Sequence, residues 1–258
     1  MEKKPEKPQR LRLDAALVER GFFDTRNRAL AAVMAGQVAI NGKQETKAGK
    51  AVRATDRLEL IGETCPYVSR GGFKLKEALE KFDIKLDGRI CADIGVATGG
   101  FSDCMLQNGA AKVYAVDVGR GQLDSNLAKN PKLVFMGDTN ARFLTPDYFP
   151  EKPSFVAIDV SFISLKLILG PVMGALARPA QLAVLIKPQF ELTPKEVPGG
   201  IVKDDACRQR AVDGLREFFA SELKNQYNAT DCRVISSPIK GAKGNIEYLW
   251  LITLGCSC

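Results

Sequence analysis

Ionisable residues follow five short apolar runs of the sequence. The runs are 89–92, 112–116, 133–137, 155–158 and 183–186. The residues that come directly after them are Asp93, Asp117, Asp138, Asp159 and Lys187. Because the carboxyl ends of parallel strands share the edge of a doubly wound sheet where ligands bind, we expect these side chains to converge on one cleft. One such aspartate is often only a helix cap, but five in register favour a functional cleft.

A glycine-rich loop, DIGVATGGF at 93–101, follows the first run. Its G-x-x-x-G-G spacing differs from the G-x-G-x-x-G of dinucleotide-binding proteins, and it has no P-loop lysine. The glycines allow a tight turn and a close approach of the backbone to a ligand. Asp117 lies 24 residues after Asp93, where a carboxylate accepts hydrogen bonds from ribose hydroxyls. The pattern favours a nucleoside-bearing cofactor over a plain tight turn.

The sequence contains no histidine. This excludes the serine triad, the cysteine–histidine dyad and histidine-ligated metals, and we expect no metal site. A general base must then be Asp, Glu, Lys, Tyr or Cys, and Lys187 at a strand end is the candidate. The seven cysteines contain no C-x-x-C pair and are predicted to be free, mostly buried thiols.

The first quarter of the chain is predicted to form a small basic domain. Two short helices, the second capped by Asp24 and closed by Gly36, precede a hairpin at Asn41-Gly42 and a strand at 57–61. Residues 1–65 carry +4 of the net charge of +7, which favours a polyanionic partner, although a solvated basic surface is the alternative. The arrangement resembles the αL-motif RNA-binding domain of a ribosomal protein. The candidate RNA-binding residues are Arg10, Arg12, Arg20, Arg26, Arg28, Lys43 and Arg70.

The remaining chain alternates strands with helices, which indicates a parallel sheet with crossover helices. We predict helices at 73–82 and 205–223 and a final antiparallel pair of strands at 232–236 and 246–254. The predicted domains are a disordered tail (1–9), an RNA-binding domain (10–62), a linker (63–66) and an α/β domain (67–258).

Several uncommon strings occur in an order that matches one family. They are YVSRGGFKL (67–75), DIGVATGGF (93–101), AVDVGRGQL (115–123), IDVSFISL (158–165), IKPQFE (186–191) and GNIEYLW (244–250). The sequence resembles class I S-adenosylmethionine-dependent methyltransferases, the FtsJ-like 2′-O-ribose methyltransferases in particular, and the TlyA family over nearly its whole length. The resemblance implies a Rossmann-like, mostly parallel seven-stranded sheet after a small α+β RNA-binding domain. It also implies S-adenosylmethionine as cofactor and methylation of cytidine 2′-hydroxyls in ribosomal RNA.

The same resemblance implies roles for individual residues. The catalytic set it implies is Lys74, Asp159, Lys187 and Glu247. The cofactor contacts it implies, with Asp117 on the ribose and Asp138 near the adenine, are Asp93, Gly95, Thr98, Gly99, Gly100, Phe101, Asp117, Gln122 and Asp138. The implied partner is ribosomal RNA or a ribosomal subunit.

Three other functions compete with an RNA methyltransferase: a non-catalytic ribosome-assembly factor, a haemolysin and an NAD-dependent dehydrogenase. The glycine spacing disfavours the dehydrogenase. The longest apolar run, Leu167–Ala177, has 11 residues, against about 18 for a membrane helix. The N-terminus is charged and lacks the apolar core of a secretory signal. We therefore expect a cytoplasmic protein with no membrane partner, with a monomer slightly favoured.

Overall fold

The computed structural model describes residues 10–34, 36–61, 65–119 and 122–255. The chain divides into two compact units, one ending at Arg70 and the other beginning at Gly71. The predicted tail at 1–9, linker residues 63 and 64, and the last three residues lie outside the described ranges.

The N-terminal unit combines two helices with short antiparallel strands. Its helices are α1 (Leu13–Glu19) and α2 (Arg26–Met34). Its strands are β1 (Arg10–Arg12), β2 (Val38–Ile40), β3 (Lys43–Glu45), β4 (Ala51–Arg53) and β5 (Leu58–Leu60). Strand β2 pairs with β3 and β5, and β1 pairs with β4. The apolar faces of α1 and α2 pack with residues of β2, β4 and β5 into one small core.

Local signals explain most of this unit. Asn41 and Gly42 both have positive φ, as a type I′ hairpin turn requires, and Gly36 ends α2 in the left-handed conformation. The predicted cap at Asp24 is wrong. Thr25 Oγ1 accepts the hydrogen bond of the Arg28 N–H at 3.3 Å, whereas the Asp24 carboxylate pairs with the Arg28 side chain at 3.3 Å. Thr25 lies directly before the helix and reaches its free N–H groups. Asp24, one residue earlier, binds the Arg28 side chain instead.

The C-terminal unit is built on a mixed sheet that has seven strands within the described residues. They are β6 (Ile90–Ile94), β7 (Lys112–Val116), β8 (Leu133–Met136), β9 (Phe155–Ile158), β10 (Ala180–Ile186), β11 (Ala229–Ser236) and β12 (Tyr248–Leu254). The order is β11-β12-β10-β9-β6-β7-β8. Strands β6 to β10 are parallel, and β12 runs antiparallel between β10 and β11. This confirms the predicted mostly parallel sheet with an antiparallel final pair.

Helices connect these strands. They are α3 (Gly71–Lys81), α4 (Gly100–Gln107), α5 (Leu169–Gly174), α6 (Asp205–Phe218) and α7 (Lys224–Tyr227). The single helix predicted at 205–223 is interrupted, because a π-helical turn at Phe219–Leu223 separates α6 from α7. The wider turn allows both Phe219 and Leu223 to be buried. Helix propensity does not predict such a turn, because it depends on packing against the rest of the fold.

Two further expectations differ from the structure. Strand β6 extends through Asp93 to Ile94, so this aspartate lies inside the strand instead of after it. Cys232 is disulfide-bonded, whereas Cys65, Cys91 and Cys104 are free thiols. Sequence spacing did not predict the disulfide because cysteine pairing depends on which residues the fold brings together.

The main core lies between the sheet and its helices, where β9 is buried along its whole length. Phe219 and Trp250 are fully buried and meet edge to face, with ring centroids 5.5 Å apart. The Trp250 Nε1–H donates to Asp231 Oδ1 at 2.8 Å, so the indole satisfies its one polar atom. In the ranges given above, no helix is both long and apolar enough to cross a bilayer.

Phe219→Ala tests this core. We expect it to lower the free energy of unfolding by about 3–5 kcal/mol, because it removes buried ring contacts and leaves a cavity. Phe143→Ala is the matched control: Phe143 is 73% exposed, and its loss should change stability by no more than about 0.5 kcal/mol. Urea unfolding followed by circular dichroism measures both. Equal effects of the two substitutions would contradict the packing described here.

Candidate active site

Charged groups form a row along the carboxyl edge of the parallel strands. Strands β10, β9, β6, β7 and β8 are neighbours in that order. The row therefore reads Lys187, Asp159, Asp93, Asp117 and Asp138. Chain order reverses between β9 and β6, which is where such sheets bind ligands. The five residues share one edge, but they do not all enter one cavity.

A cavity of about 500 Å³ opens in the middle of this edge. Of the predicted site residues, those that line it are Gly95, Asp117, Gln122 and Asp159. Its other lining residues include Val118, Thr139, Asn140, Phe162 and Ile168, which the sequence analysis missed. Asp138 is exposed just after β8 with a φ of 53°. Thr139 and Asn140 occupy the cavity wall in its place.

The glycine-rich loop lies close against its neighbours. Gly95 has a φ of 90°, and a Cβ atom there would overlap the backbone carbonyl oxygen of Asp159. Gly99 has a φ of 94°, and a Cβ atom there would overlap the Leu127 side chain. A side chain at either position would therefore push the loop away from β9 or from Leu127. Gly99, Gly100 and Phe101 are buried and Thr98 is half-buried.

Asp117 ties the glycine-rich loop to the loop after β7. Its Oδ2 accepts the Ala97 N–H at 2.9 Å, and its Oδ1 accepts the Gly119 N–H at 2.8 Å. Each carboxylate oxygen has a second acceptor position. Asp117 can therefore hold the loops and still accept hydrogen bonds from a ligand in the cavity.

Asp93 lies beneath the loop and is fully buried. Its Oδ2 accepts hydrogen bonds from the Ser102 N–H at 2.9 Å and Oγ–H at 2.7 Å. Its Oδ1 makes no hydrogen bond within the described part of the chain. Burial raises the pKa of this carboxyl to about 7, with a smaller contribution from the charge of Asp159. In this position Asp93 supports the loop and does not line the cavity.

The four residues of the implied catalytic set form two ion pairs. Lys74 Nζ donates to Glu247 Oε2 at 2.6 Å, and the two side chains are only 10% and 2% exposed. Lys187 Nζ forms an ion pair with Asp159 Oδ1 at 2.5 Å. The same ammonium donates to Ser161 Oγ at 2.9 Å. Each lysine therefore has a carboxylate of its own.

Strand register brings the two pairs to the same end of the sheet. Ile186 of β10 pairs with Tyr248 of β12, so Lys187 and Glu247 leave these neighbouring strands at the same level. Gly241 makes room for the Glu247 carboxylate, because any Cβ atom at this position would overlap its Oε1. The sequence analysis did not single out Gly241, since a close approach across a fold has no local pattern.

The loops after β9 and β10 are joined by further contacts. Phe162 is 91% exposed, has a φ of 64°, and places its ring 5.1 Å from that of Phe190. The Glu191 carboxylate accepts hydrogen bonds from Ser164 Oγ at 2.6 Å and from the Leu165 N–H at 2.8 Å. A bulky residue in the left-handed region carries a cost of about 1–3 kcal/mol, and such residues cluster at functional sites. Phe162 lies three residues after Asp159, and an aromatic residue so near a charged group at a strand end was the available signal.

The predicted basic residues of the N-terminal unit do not form a single cluster. Arg10 lies directly opposite Arg53 across the β1–β4 pair. The Arg20 guanidinium donates to backbone carbonyls of the 53–56 turn, which gives it a structural role. Arg12 and Arg26 both contact Asp14, and Lys43 is exposed on β3. Arg28 and Arg70 line a separate cavity of about 310 Å³ in this unit.

Comparison with known families identifies both units. Residues 67–253 match the FtsJ-like methyltransferase family, and residues 11–58 match the S4 domain. The chain belongs to the FtsJ-like methyltransferase family. Because the match covers most of the chain and includes the glycine-rich loop and the four paired residues, the α/β unit of this methyltransferase is its catalytic unit.

Individual relatives resemble the chain over nearly its full length. YqxC of Bacillus subtilis is 44% identical over 242 residues, which cover 92% of this chain and 84% of YqxC. The 16S/23S rRNA (cytidine-2′-O)-methyltransferase TlyA of Mycobacterium tuberculosis is 40% identical over 248 residues, 95% of this chain and 91% of TlyA. The solved structure of a hemolysin-like protein of Streptococcus thermophilus has a TM-score of 0.75 at 39% identity and covers 97% of this chain and 90% of that one.

Asp93→Asn should change how stability depends on pH. The Asp93 pKa is about 7 in the folded chain against an ordinary value of 3.8, so the folded state binds this proton more tightly than the unfolded state. The carboxyl therefore makes folding progressively less favourable as pH rises from about 4 to about 7. We expect the unfolding free energy of the unaltered protein, minus that of Asp93→Asn, to fall across this range and then to level off.

The single tryptophan, Trp250, is buried in the C-terminal unit, and its fluorescence during urea unfolding reports that unit. Glu222→Gln is the matched control for Asp93→Asn, because Glu222 is exposed on the π-helical turn. It shows how the unfolding free energy depends on pH when a solvent-facing carboxylate is removed. If the unfolding free energy of the unaltered protein minus that of Asp93→Asn stays constant or grows with pH, burial does not raise the pKa of Asp93.

Proposed function

We propose that this methyltransferase moves a methyl group from S-adenosylmethionine to the 2′-hydroxyl of a cytidine in ribosomal RNA. The observation that carries the proposal is the Lys187–Asp159 pair, whose carboxylate lines a nucleoside-sized cavity, with the Lys74–Glu247 pair at the same end of the sheet. The 40% identity to TlyA of Mycobacterium tuberculosis, a 16S/23S rRNA (cytidine-2′-O)-methyltransferase, supports the same substrate. A ribosomal RNA substrate also implies that the enzyme works in the cytoplasm.

The cavity suits a nucleoside that carries a charged sulfonium. S-adenosylmethionine supplies an electrophilic methyl group when bound. Asp117 presents acceptor oxygens for ribose hydroxyls, and the exposed Val118 side chain offers an apolar wall for a base. Asp159 lines the cavity and its charge favours a cation there. Asp93, Gly99, Gly100 and Phe101 hold the loop in shape, whereas Gly95, Gln122, Thr139 and Asn140 face the ligand.

The two ion pairs supply alignment and a route for the proton. A ribose hydroxyl is a weak acid, so methyl transfer needs a group that takes its proton. Lys187 is the proposed acceptor, and Asp159 and Ser161 orient its amine. To accept the hydroxyl proton Lys187 must act as the neutral amine, so its ammonium first releases its own proton to solvent. Glu247 holds Lys74, so this second lysine is fixed at the same edge and can donate to the ribose oxygens.

Phe162 and Phe190 offer a surface on which the target base can stack. Enzymes that act on one nucleotide turn it out of its helix and stack its base on aromatic side chains. Phe162 lines the cavity near Asp159 and exposes nearly its whole ring. We place the cytosine against this ring, with the ribose directed towards Lys187.

The N-terminal unit is proposed to bind the RNA backbone. Arginines directly opposite each other in an antiparallel pair are unfavourable without an anion, and Arg10 faces Arg53 in this way. Arg10 and Arg12 lie on the same face of β1, because side chains alternate along a strand. We propose that residues 10–62 supply RNA affinity, residues 63–66 link the domains and residues 67–258 supply the chemistry.

Methyl transfer to unmodified ribosomal subunits and to free ribosomal RNA tests the function directly. With labelled S-adenosylmethionine, we expect the label in 2′-O-methylcytidine after digestion to nucleosides. Lys187→Ala should lower the rate by about 100-fold or more, as loss of a proton acceptor does, while cofactor binding measured by calorimetry changes only slightly. Lys132→Ala, at an exposed position on the opposite edge of the sheet, is the matched control and should keep full activity.

Three outcomes would contradict these assignments. Label in a base or in another nucleoside would exclude the cytidine 2′-hydroxyl as the acceptor. Binding of both cofactor and RNA with no transfer to any of these substrates would favour the ribosome-assembly factor. Loss of cofactor binding in Lys187→Ala would show that this lysine belongs to the cofactor site and is not the proton acceptor.

Phe162→Ala tests the stacking surface. We expect the KM for RNA to rise by about tenfold, since stacking of one base on an aromatic side chain contributes about 1–3 kcal/mol, with a smaller effect on cofactor affinity because Phe162 also lines the cavity. Phe162→Tyr keeps the ring and should restore most of the activity. Equal activity of Phe162→Ala and the unaltered enzyme would exclude a stacking role.

A further inference from the structure

One buried carboxylate in the N-terminal unit holds two arginines. Asp14 accepts a bidentate pair of hydrogen bonds from Arg12, with Nε at 3.1 Å and Nη2 at 2.9 Å. Its Oδ2 also accepts Arg26 Nη2 at 3.2 Å. Arg12 precedes α1 and Arg26 begins α2, so one side chain joins guanidinium groups from two elements.

The carboxylate itself is firmly anchored. Asp14 is buried in the first turn of α1, its backbone N–H donates to the Ala48 carbonyl at 3.1 Å, and its Oδ1 accepts the Ala15 N–H at 2.8 Å. The hydrogen bond from Arg12 is the main reason that the pKa of Asp14 falls to about 2. The carboxylate therefore stays charged at any physiological pH.

The two arginines remain open to solvent beyond this carboxylate. Their side chains are 56% and 60% exposed, against 5% for Asp14. Arg12 uses Nε and Nη2 on Asp14, which leaves its Nη1 for another partner. Gly49 has no side chain to crowd that group, since a Cβ atom there would lie only 3.1 Å from Arg12 Nη1. The arrangement presents two restrained cations to an incoming anion.

We propose that Asp14 is a positioning residue that holds Arg12 and Arg26 as a preformed pair for adjacent phosphates of the RNA backbone. The inference rests on the proposed RNA-binding function of this unit. Guanidinium groups bind phosphate oxygens through paired N–H donors, and binding costs less when flexible side chains are already ordered. Asp14 lowers the total positive charge of the surface but restricts the arginines to orientations that phosphates can use.

If Asp14 positions the two arginines, removing its carboxylate weakens RNA binding, whereas the change in net charge alone would strengthen it. Removing a negative charge from a protein strengthens its attraction to RNA when long-range electrostatics dominates. Removing the carboxylate that orders two arginines weakens binding. Asp14→Asn changes the charge by one unit with almost no change in shape. Glu19→Gln makes the same charge change at an exposed position at the other end of α1, and it is the matched control.

The experiment measures the Kd of the full chain for unmodified ribosomal RNA at several salt concentrations. We expect Asp14→Asn to weaken binding by about threefold to tenfold through the lost ordering of two side chains. The slope of log Kd against log salt should shrink by up to about 2, because each lost phosphate contact removes nearly one released counterion. Glu19→Gln should bind equally or more tightly with an unchanged slope.

A double-mutant cycle separates positioning from folding. With Arg12 and Arg26 both replaced by glutamine, adding Asp14→Asn should no longer weaken binding, because the groups it orders are gone. Tighter or unchanged binding by Asp14→Asn alone would overturn the inference, as would an equal weakening in the arginine-free background. If the unaltered chain does not bind this RNA, the proposed function fails first, and the inference fails with it.

Discussion

A lysine removed from water needs a carboxylate beside it, and much of the catalytic unit is arranged around this requirement. Lys74 and Glu247 are 173 residues apart in sequence, yet they meet in a nearly solvent-free position. Leaving either charge buried without the other would cost about 3–5 kcal/mol. Helix α3 and the segment before β12 must therefore be placed together, and Gly241 must leave space for the carboxylate.

The second ion pair differs from the first in its surroundings, and the difference suits a division of roles. Lys187 and Asp159 sit at the cavity edge with greater solvent access, and Lys187 also contacts Ser161. A charged side chain that can rotate towards water exchanges its hydrogen bonds more easily than a side chain enclosed by protein. The buried pair thus provides a fixed frame, while the accessible pair can exchange a hydrogen bond with substrate. Glu191 and the two phenylalanines hold the loops on which the accessible pair depends.

The sequence allowed the sheet to be predicted because its central strands are short, apolar and buried on both faces. Asp117 and Asp159 were predictable for the same reason, since each directly follows such a strand. The implied set of Lys74, Asp159, Lys187 and Glu247 came from resemblance, because no local pattern links residues so far apart. Phe162, Gly241 and Asp14 were missed. Their importance depends on exposure, on a close approach and on a shared partner, which are properties of the folded chain.

The position of β12 in the sheet has a consequence for biosynthesis. This strand lies between β10 and β11, although it is made after both of them, and Glu247 directly precedes it. During translation the N-terminal unit can fold first, because domains fold as units in the order in which they are synthesised. Strand β11 has no neighbour in the sheet, and Lys74 has no Glu247, until the last strand has been synthesised. Completion of the sheet and completion of the Lys74–Glu247 ion pair are therefore a single late event, so a nascent chain stalled before β12 has neither.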